Sequence, residues 1–205
     1  MREKEILELL SNELADRMSE SKEKIQEEYN KDKEKYISDF LNSMDSLLKK
    51  SKLKQEKNST VYSESMEKIE NLGEIKYIWI NCMRVSVETE SYKYVIKAYD
   101  SSLYNDKNEV EEIYVSEYQR TLIEKDKKYI EKLVMEKVIR AKQYEVRDLQ
   151  KWYEWNTYMK QMPREIKEGI EKIKELKSYK EVKKERKVKI YYGEMLEIPE
   201  REYEL

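Results

Sequence analysis

The chain is 205 residues long, 42% of them charged, with 42 basic against 44 acidic residues for a net charge of -2, and it contains no histidine. The near balance excludes a strong overall field for nucleic acid or an anionic membrane. The missing histidines exclude the commonest general base, the usual partner of Ser and Cys nucleophiles and the commonest nitrogen ligand of zinc.

A mean hydropathy of -1.03 argues against a large globular core. Hydrophobic residues nevertheless make up 39% of the chain and recur periodically, as they do in a folded chain and not in a disordered one. Residues up to position 72 include neither Gly nor Pro, so no backbone chemistry stops a helix there. Leu7, Leu10, Leu14, Met18, Ile25, Tyr29, Tyr36, Phe40, Met44 and Leu47 recur at threes, fours and sevens, a narrow stripe close to a heptad seam. This spacing predicts a long helix over 3–55, with a weak point at "SESKEK" in 19–24. A short helix over 62–72 is expected next, with Gly73 as its C-cap.

From Ile75 the period changes to about 2. Ile75, Tyr77, Trp79, Met83, Val85 and Val87 fall on one face of a predicted strand, and Tyr92, Tyr94, Ile96 and Ala98 on one face of a second, with the turn in "ETES". For the two faces to coincide, paired residue numbers must sum to an odd value. A sum of 179 is preferred to 181, which would set Arg84 opposite Lys97. "VEEIYVS" reads as a weaker third strand near 110–115, and Ser116 with Gln119 forms an S-x-x-Q capping box. The helix it opens is expected over 117–162, along Leu122, Ile130, Leu133, Leu149, Trp152, Trp155, Met159 and Met162. Pro163 then begins a helix over 164–177, a short turn of helix follows at "SYKEVKKE", and "KVKIYYGEML" supplies a last strand near 187–192.

The predicted fold is α+β and mainly helical, a single domain over 1–205. Two long helices, 3–55 and 117–162, form an arm as an antiparallel, coiled-coil-like pair. A small antiparallel sheet, hairpin 75–99 with strands near 110–115 and 187–192, lies in the part containing 73–116 and 163–205.

Few residues point to chemistry. Cys82 precedes Arg84 in "NCMR", but no His is present as base, and a Cys-x5-Arg phosphatase loop fails because Glu88 stands at the Arg position. Packing is the expected role of Cys82. Asn81 and Asp100 fall on the predicted apolar face, and with Tyr99 and Tyr104 they define a candidate ligand pocket at the base of the hairpin. Trp152, Trp155 and Met159, in "KWYEWNTYM", are the candidate partner-binding residues, with a helix seam as the competing explanation of their spacing. The oxygen-rich "DSSLYNDKNEVEE" lacks the alternation and central Gly of an EF-hand, and three Gly in all leave no phosphate-cradling loop. No metal and no cofactor is expected.

"YIWINCMRVSV", "AYDSSLY" and "IYYGEMLE" together resemble a set of uncharacterised proteins of clostridia and related Firmicutes, over about 73–197. The resemblance implies a bacterial cytosolic origin and carries over no site residue. The start of the chain predicts neither a signal peptide nor a membrane anchor, and the expected location is cytoplasmic. The functional expectation is a non-enzymatic interaction or scaffold protein that self-associates as a homo-oligomer, without membrane or nucleic-acid partners. The alternatives are an enzyme or small-ligand binder at the hairpin pocket, and nucleic-acid binding through the Lys-rich segment 160–189.

Overall fold

The computed structural model describes residues 2–57, 73–103, 109–194 and 199–205. The expected helix over 62–72 and Tyr104 lie outside the described residues. The fold is α+β and mainly helical, with a five-stranded mixed sheet. The chain divides into two compact units, each built from three stretches: 1–33, 84–92 and 115–164 in the first, and 34–83, 93–114 and 165–205 in the second.

The expected helix over 3–55 is divided. α1 (Arg2–Leu9), α2 (Ser11–Lys31) and α3 (Lys33–Lys57) are separated at Leu10 and at Asp32, whose ψ of 39° leaves the helical region. The weak point expected at 19–24 is intact helix inside α2. Exposed ion pairs at helical spacing support that polar stretch, Lys24 to Glu20 at 3.4 Å among them.

In the first unit α2 runs antiparallel to α5 (Glu117–Lys137), as the sequence predicts for this part of the arm. Glu13 meets Lys137 at 3.3 Å, Arg17 meets Asp126, and Tyr29 meets Tyr118 with ring centroids 6.0 Å apart. Leu10, Leu14 and Tyr29 of the predicted stripe are buried, as are Leu122, Ile130 and Leu133, whereas Leu7, Met18 and Ile25 of the same stripe are only half-buried. The expected helix 117–162 is also divided: α5 ends at Lys137, an elbow follows in which Arg140 has φ 56°, and α6 (Gln143–Glu154) runs on into a π-helical turn, Trp155–Met159. The backbone N–H of Lys142 donates to Glu145 at 2.8 Å and fixes the start of α6. A short α4 (Arg84–Glu88) completes this unit.

In the second unit the sheet order is β3-β2-β1-β4-β5, where β1 is Ile75–Cys82, β2 Lys93–Tyr99, β3 Val110–Val115, β4 Lys184–Gly193 and β5 Arg201–Glu204. The sheet is not wholly antiparallel as expected, because β4 lies parallel to β1, pairing Ile80 with Tyr192. Parallel neighbours need a long crossover, and the whole of 84–183 supplies it. The hairpin register also differs from expectation. Ile78 pairs with Ala98, Ile80 with Ile96 and Cys82 with Tyr94, an even sum, so the innermost apolar face is Ile78, Ile80 and Cys82 and not the odd-numbered set. β1 is central and buried on both faces over most of its length, which removes the alternation that would have chosen between them. The strand stops at Cys82 because Arg84 to Glu88 coil as α4, with Val85 and Val87 in a helix instead of the expected strand.

α3 packs on this sheet: Phe40 meets Tyr114 edge-on at 5.6 Å, and Lys50 pairs with Glu112 at 2.9 Å. Gln55, the last residue of the helix expected over 3–55, is buried and bonds three backbone groups, donating to Gly73 O at 2.7 Å and Lys183 O at 2.9 Å and accepting from Lys183 N at 3.0 Å. β5, which the sequence reading did not foresee, joins β4 through Lys187–Glu204 and Lys189–Glu202 pairs of 2.8 and 2.7 Å. α7 (Arg164–Lys172) starts just after Pro163 as expected, and α8 (Lys177–Glu181) is the expected short turn of helix.

Candidate interaction site

Polar groups in the first unit gather at Asp126, which is 2% exposed. Its Oδ1 accepts from Arg17 Nε at 2.9 Å and Nη2 at 2.5 Å, and its Oδ2 from Ser21 Oγ and Tyr158 Oη, each at 2.6 Å, and Tyr153 Oη at 3.2 Å. The Arg17 guanidinium also lies 4.5 Å from the Tyr129 ring centroid. Burial opposes the Arg17 charge, but the hydrogen bond and attraction of Asp126 outweigh it and hold the guanidinium above its ordinary value. Burial, joined by the adjacent carboxylate, pushes the Tyr158 and Tyr153 hydroxyls well up. Both carboxylate oxygens face protein donors, so the cluster is built to hold α2, α5 and α6 together and not to handle a substrate. The sequence reading missed it. The available signal was position: Asp126 lies four residues from both Leu122 and Ile130, on the apolar stripe.

A second buried carboxylate, Glu154, ends α6. Tyr92 Oη donates to it at 3.2 Å. Burial raises its pKa to about 7, against the attraction of Lys127 and the Tyr92 hydrogen bond. Because the folded value lies above the ordinary 4.5, the folded state retains a proton that the unfolded chain releases, and stability falls as pH rises from about 4.5 to 7. Glu154→Gln keeps an acceptor for Tyr92 and removes that titration. Its urea midpoint is expected to exceed that of the wild-type chain at pH 8, with the gap closing towards pH 4.5. An equal gap at both pH values would rule out Glu154 as the titrating group.

Trp152 and Trp155 are half-buried on the outer side of this region. Trp152 lines two concavities. One, of about 300 Å³, is bounded mainly by apolar side chains of α1 and α2, among them Leu7, Leu14, Ala15 and Met18, with Glu8 and Ser11 also lining it. The other, of about 340 Å³, lies between α4 and α6 and is lined by Arg84, Val87, Glu88, Asp148, Lys151, both indoles and Asn156. In this cleft Lys151 is paired with Glu88, and the Arg84 guanidinium sits 5.1 Å from the Trp155 ring centroid. Met159, expected on the same stripe, is 1% exposed and lines neither concavity. The π-helical turn explains the difference. Lys160 N–H donates to Trp155 O at 3.0 Å, five residues back, and the extra residue in that turn carries Met159 off the face that a 3.6-residue period assigns it.

Among the described hairpin candidates, Asn81 lies apart from Tyr99 and Asp100. Asn81 pairs with Val95, near the α4 end of the hairpin, and its Nδ2 donates to Val95 O at 3.2 Å. Tyr99 pairs with Tyr77 at the opposite end, and Asp100 beside it accepts from Ser102 N at 2.7 Å and Gly73 N at 3.2 Å, as a turn-forming Asp does. The four residues that separate Asn81 from Tyr77 along β1 span roughly 13 Å. Cys82 is fully buried, and burial, with Glu200 and Glu194 adding to it, pushes its thiol up to about 12, the opposite of nucleophile activation. Among the described residues no three His, Cys, Asp or Glu side chains gather as a metal site requires, and no helix is long and apolar enough to cross a membrane.

No protein-family model matches the chain, and no curated protein or solved structure is significantly similar to it.

Proposed function

We propose that the protein is a cytoplasmic, non-enzymatic interaction module whose first unit receives an amphipathic segment of another polypeptide at Trp152. The observation that carries this reading is the sharing of one indole by an apolar groove and a charged cleft. An apolar side chain of the incoming segment has Leu7, Leu14 and Met18 to cover it. Polar or charged side chains next to it reach the α4–α6 cleft. Trp is the residue best suited to such a junction, with a large apolar face and a small entropy cost on ordering.

The test is titration with an 18-residue amphipathic Leu/Lys peptide and with a Ser/Lys peptide of equal charge, followed by tryptophan fluorescence. The expected result is saturable binding of the Leu/Lys peptide only, weakened about tenfold or more in Trp152→Ala, in line with the truncation of a central aromatic anchor. Equal responses to both peptides, or binding that is indifferent to Trp152, would remove the basis for the reading.

A further inference from the structure

Resting on that reading for the site it serves, we infer that α4 and the turn 89–92 form a pH-sensitive latch, which completes the α4–α6 cleft while Glu154 is protonated and comes away once Glu154 is ionised. Three contacts fasten it. Glu88 meets Lys151 of α6, Glu90 meets Lys127 of α5 at 3.1 Å, and Tyr92, 3% exposed, places its Oη 3.2 Å from Glu154. Glu88 and Glu90 are exposed, so their ion pairs hold weakly. The buried contact is that of Tyr92.

The two buried carboxylates of this unit are served differently. Asp126 accepts hydrogen bonds on both oxygens and faces a guanidinium. Glu154 is as deeply buried, 2% exposed, yet among the described residues Tyr92 Oη is the one hydrogen-bond donor to its carboxyl group. The charges that face it are Lys127 and Glu124 of α5 and Glu90 of the turn. Lys127 already answers Glu90 and Glu124, the latter at 3.6 Å, so an ionised Glu154 would be a third carboxylate for one ammonium. A buried site so short of donors and positive charge favours the protonated carboxyl.

The turn is poised to leave. Glu90 at φ 53° and Tyr92 at φ 48° both hold the left-handed conformation, uncommon for any residue but glycine and rarer still for a bulky one. Such a backbone persists only where contacts impose it. When Tyr92 withdraws the strain is relieved and water reaches Glu154. α5 and α6 stay in place, tied through Asp126 and through Gln150, which donates to Lys127 O at 2.9 Å. Opening removes Arg84, Val87 and Glu88 from the cleft and the guanidinium from beside the Trp155 ring. Burial pushes the closed-state pKa of Glu154 up to about 7 from the ordinary 4.5, so the latch is fastened at low pH and loosens as pH rises through that interval. Between pH 5 and pH 8 the ratio of open to closed forms rises by roughly fiftyfold.

Amide hydrogen exchange on the full chain, corrected for intrinsic rates, reads the opening. The Ser91 and Tyr92 N–H groups both donate to Ser86 O in the closed form and report the turn, while Val134 of α5 and Leu149 of α6 report the frame. Protection of Ser91 and Tyr92 is expected to fall by about tenfold or more from pH 5 to pH 8 and to lie below that of the frame, as local opening requires. In Glu154→Gln it is expected to be the same at both pH values. Protection of the turn that ignores pH, or that equals the frame's at pH 8, overturns the latch. The Leu/Lys peptide tests the consequence. Its dissociation constant is expected to be about threefold or more larger at pH 8 than at pH 5 for the wild-type chain, and equal at the two for Glu154→Gln. Wild-type binding that is indifferent to pH overturns the gating and leaves the peptide reading intact. If the peptide binds at neither pH, that reading falls, and the exchange of Ser91 and Tyr92 alone decides the latch.

Discussion

Asp126→Asn is expected to be the most damaging near-isosteric change in the first unit, lowering unfolding free energy by about 3–5 kcal/mol. The substitution keeps the volume and one acceptor but removes the charge that faces Arg17, Ser21, Tyr153 and Tyr158. Arg17 is left with a poorly solvated guanidinium, and the donors are left to compete for one carbonyl oxygen. Arg17→Ala is expected to cost less, because Asp126 then retains its three hydroxyl donors. Urea unfolding at neutral pH checks both the size and the order. A loss under about 1 kcal/mol for Asp126→Asn would match a solvated surface pair and not a buried one.

Gly169→Ala is the corresponding change in the second unit. In an exposed helix Ala is favoured over Gly by about 1 kcal/mol. Here a Cβ on residue 169 would stand 2.5 Å from Cδ1 of Phe40, a ring that is fully buried against Tyr114. The ring edge cannot swing aside as a surface side chain could, so the sign reverses and a loss of about 1–3 kcal/mol is expected. Phe40→Leu creates the missing space. In that background the same Gly169→Ala change is expected to be neutral or stabilising, and a double-mutant cycle by thermal or urea unfolding reads the coupling directly. Additive effects would mean that α7 shifts bodily to accommodate the methyl group.

The helical stripes were legible because each apolar position recurs at the helical period, and Leu10, Leu14, Tyr29, Phe40, Met44 and Leu47 are indeed buried. The interruptions were not. Leu10 and Asp32 are neither Gly nor Pro, and nothing in their side chains forbids a helix. The hairpin parity was misread for a different reason: a strand with neighbours on both edges and cover on both faces carries apolar residues at odd and even positions alike, as Ile78, Trp79 and Ile80 do. β5 hid behind its charges. Its Glu202 and Glu204 answer Lys189 and Lys187 across the strand pair, a sign pattern visible only once the two segments are known to be neighbours. For the candidate site, Trp152 and Trp155 could be named from spacing. Arg84, Glu88 and Asp148 could not, because their meeting depends on α4 lying beside α6, which no local pattern encodes.

The interleaving of the two units bears on biosynthesis. Each unit draws on three separate stretches of chain, and the first is complete only once residue 164 has been made. The sheet of the second needs β4 and β5, its last pieces to leave the ribosome, and two of the three bonds of Gln55 wait for Lys183, 128 residues later in translation. A nascent chain therefore cannot fold one unit at a time in the order of synthesis, as tandem domains do. Until late in its synthesis it carries the β4-facing edge of β1 without its final partner, the phase in which a chaperone would have most to bind.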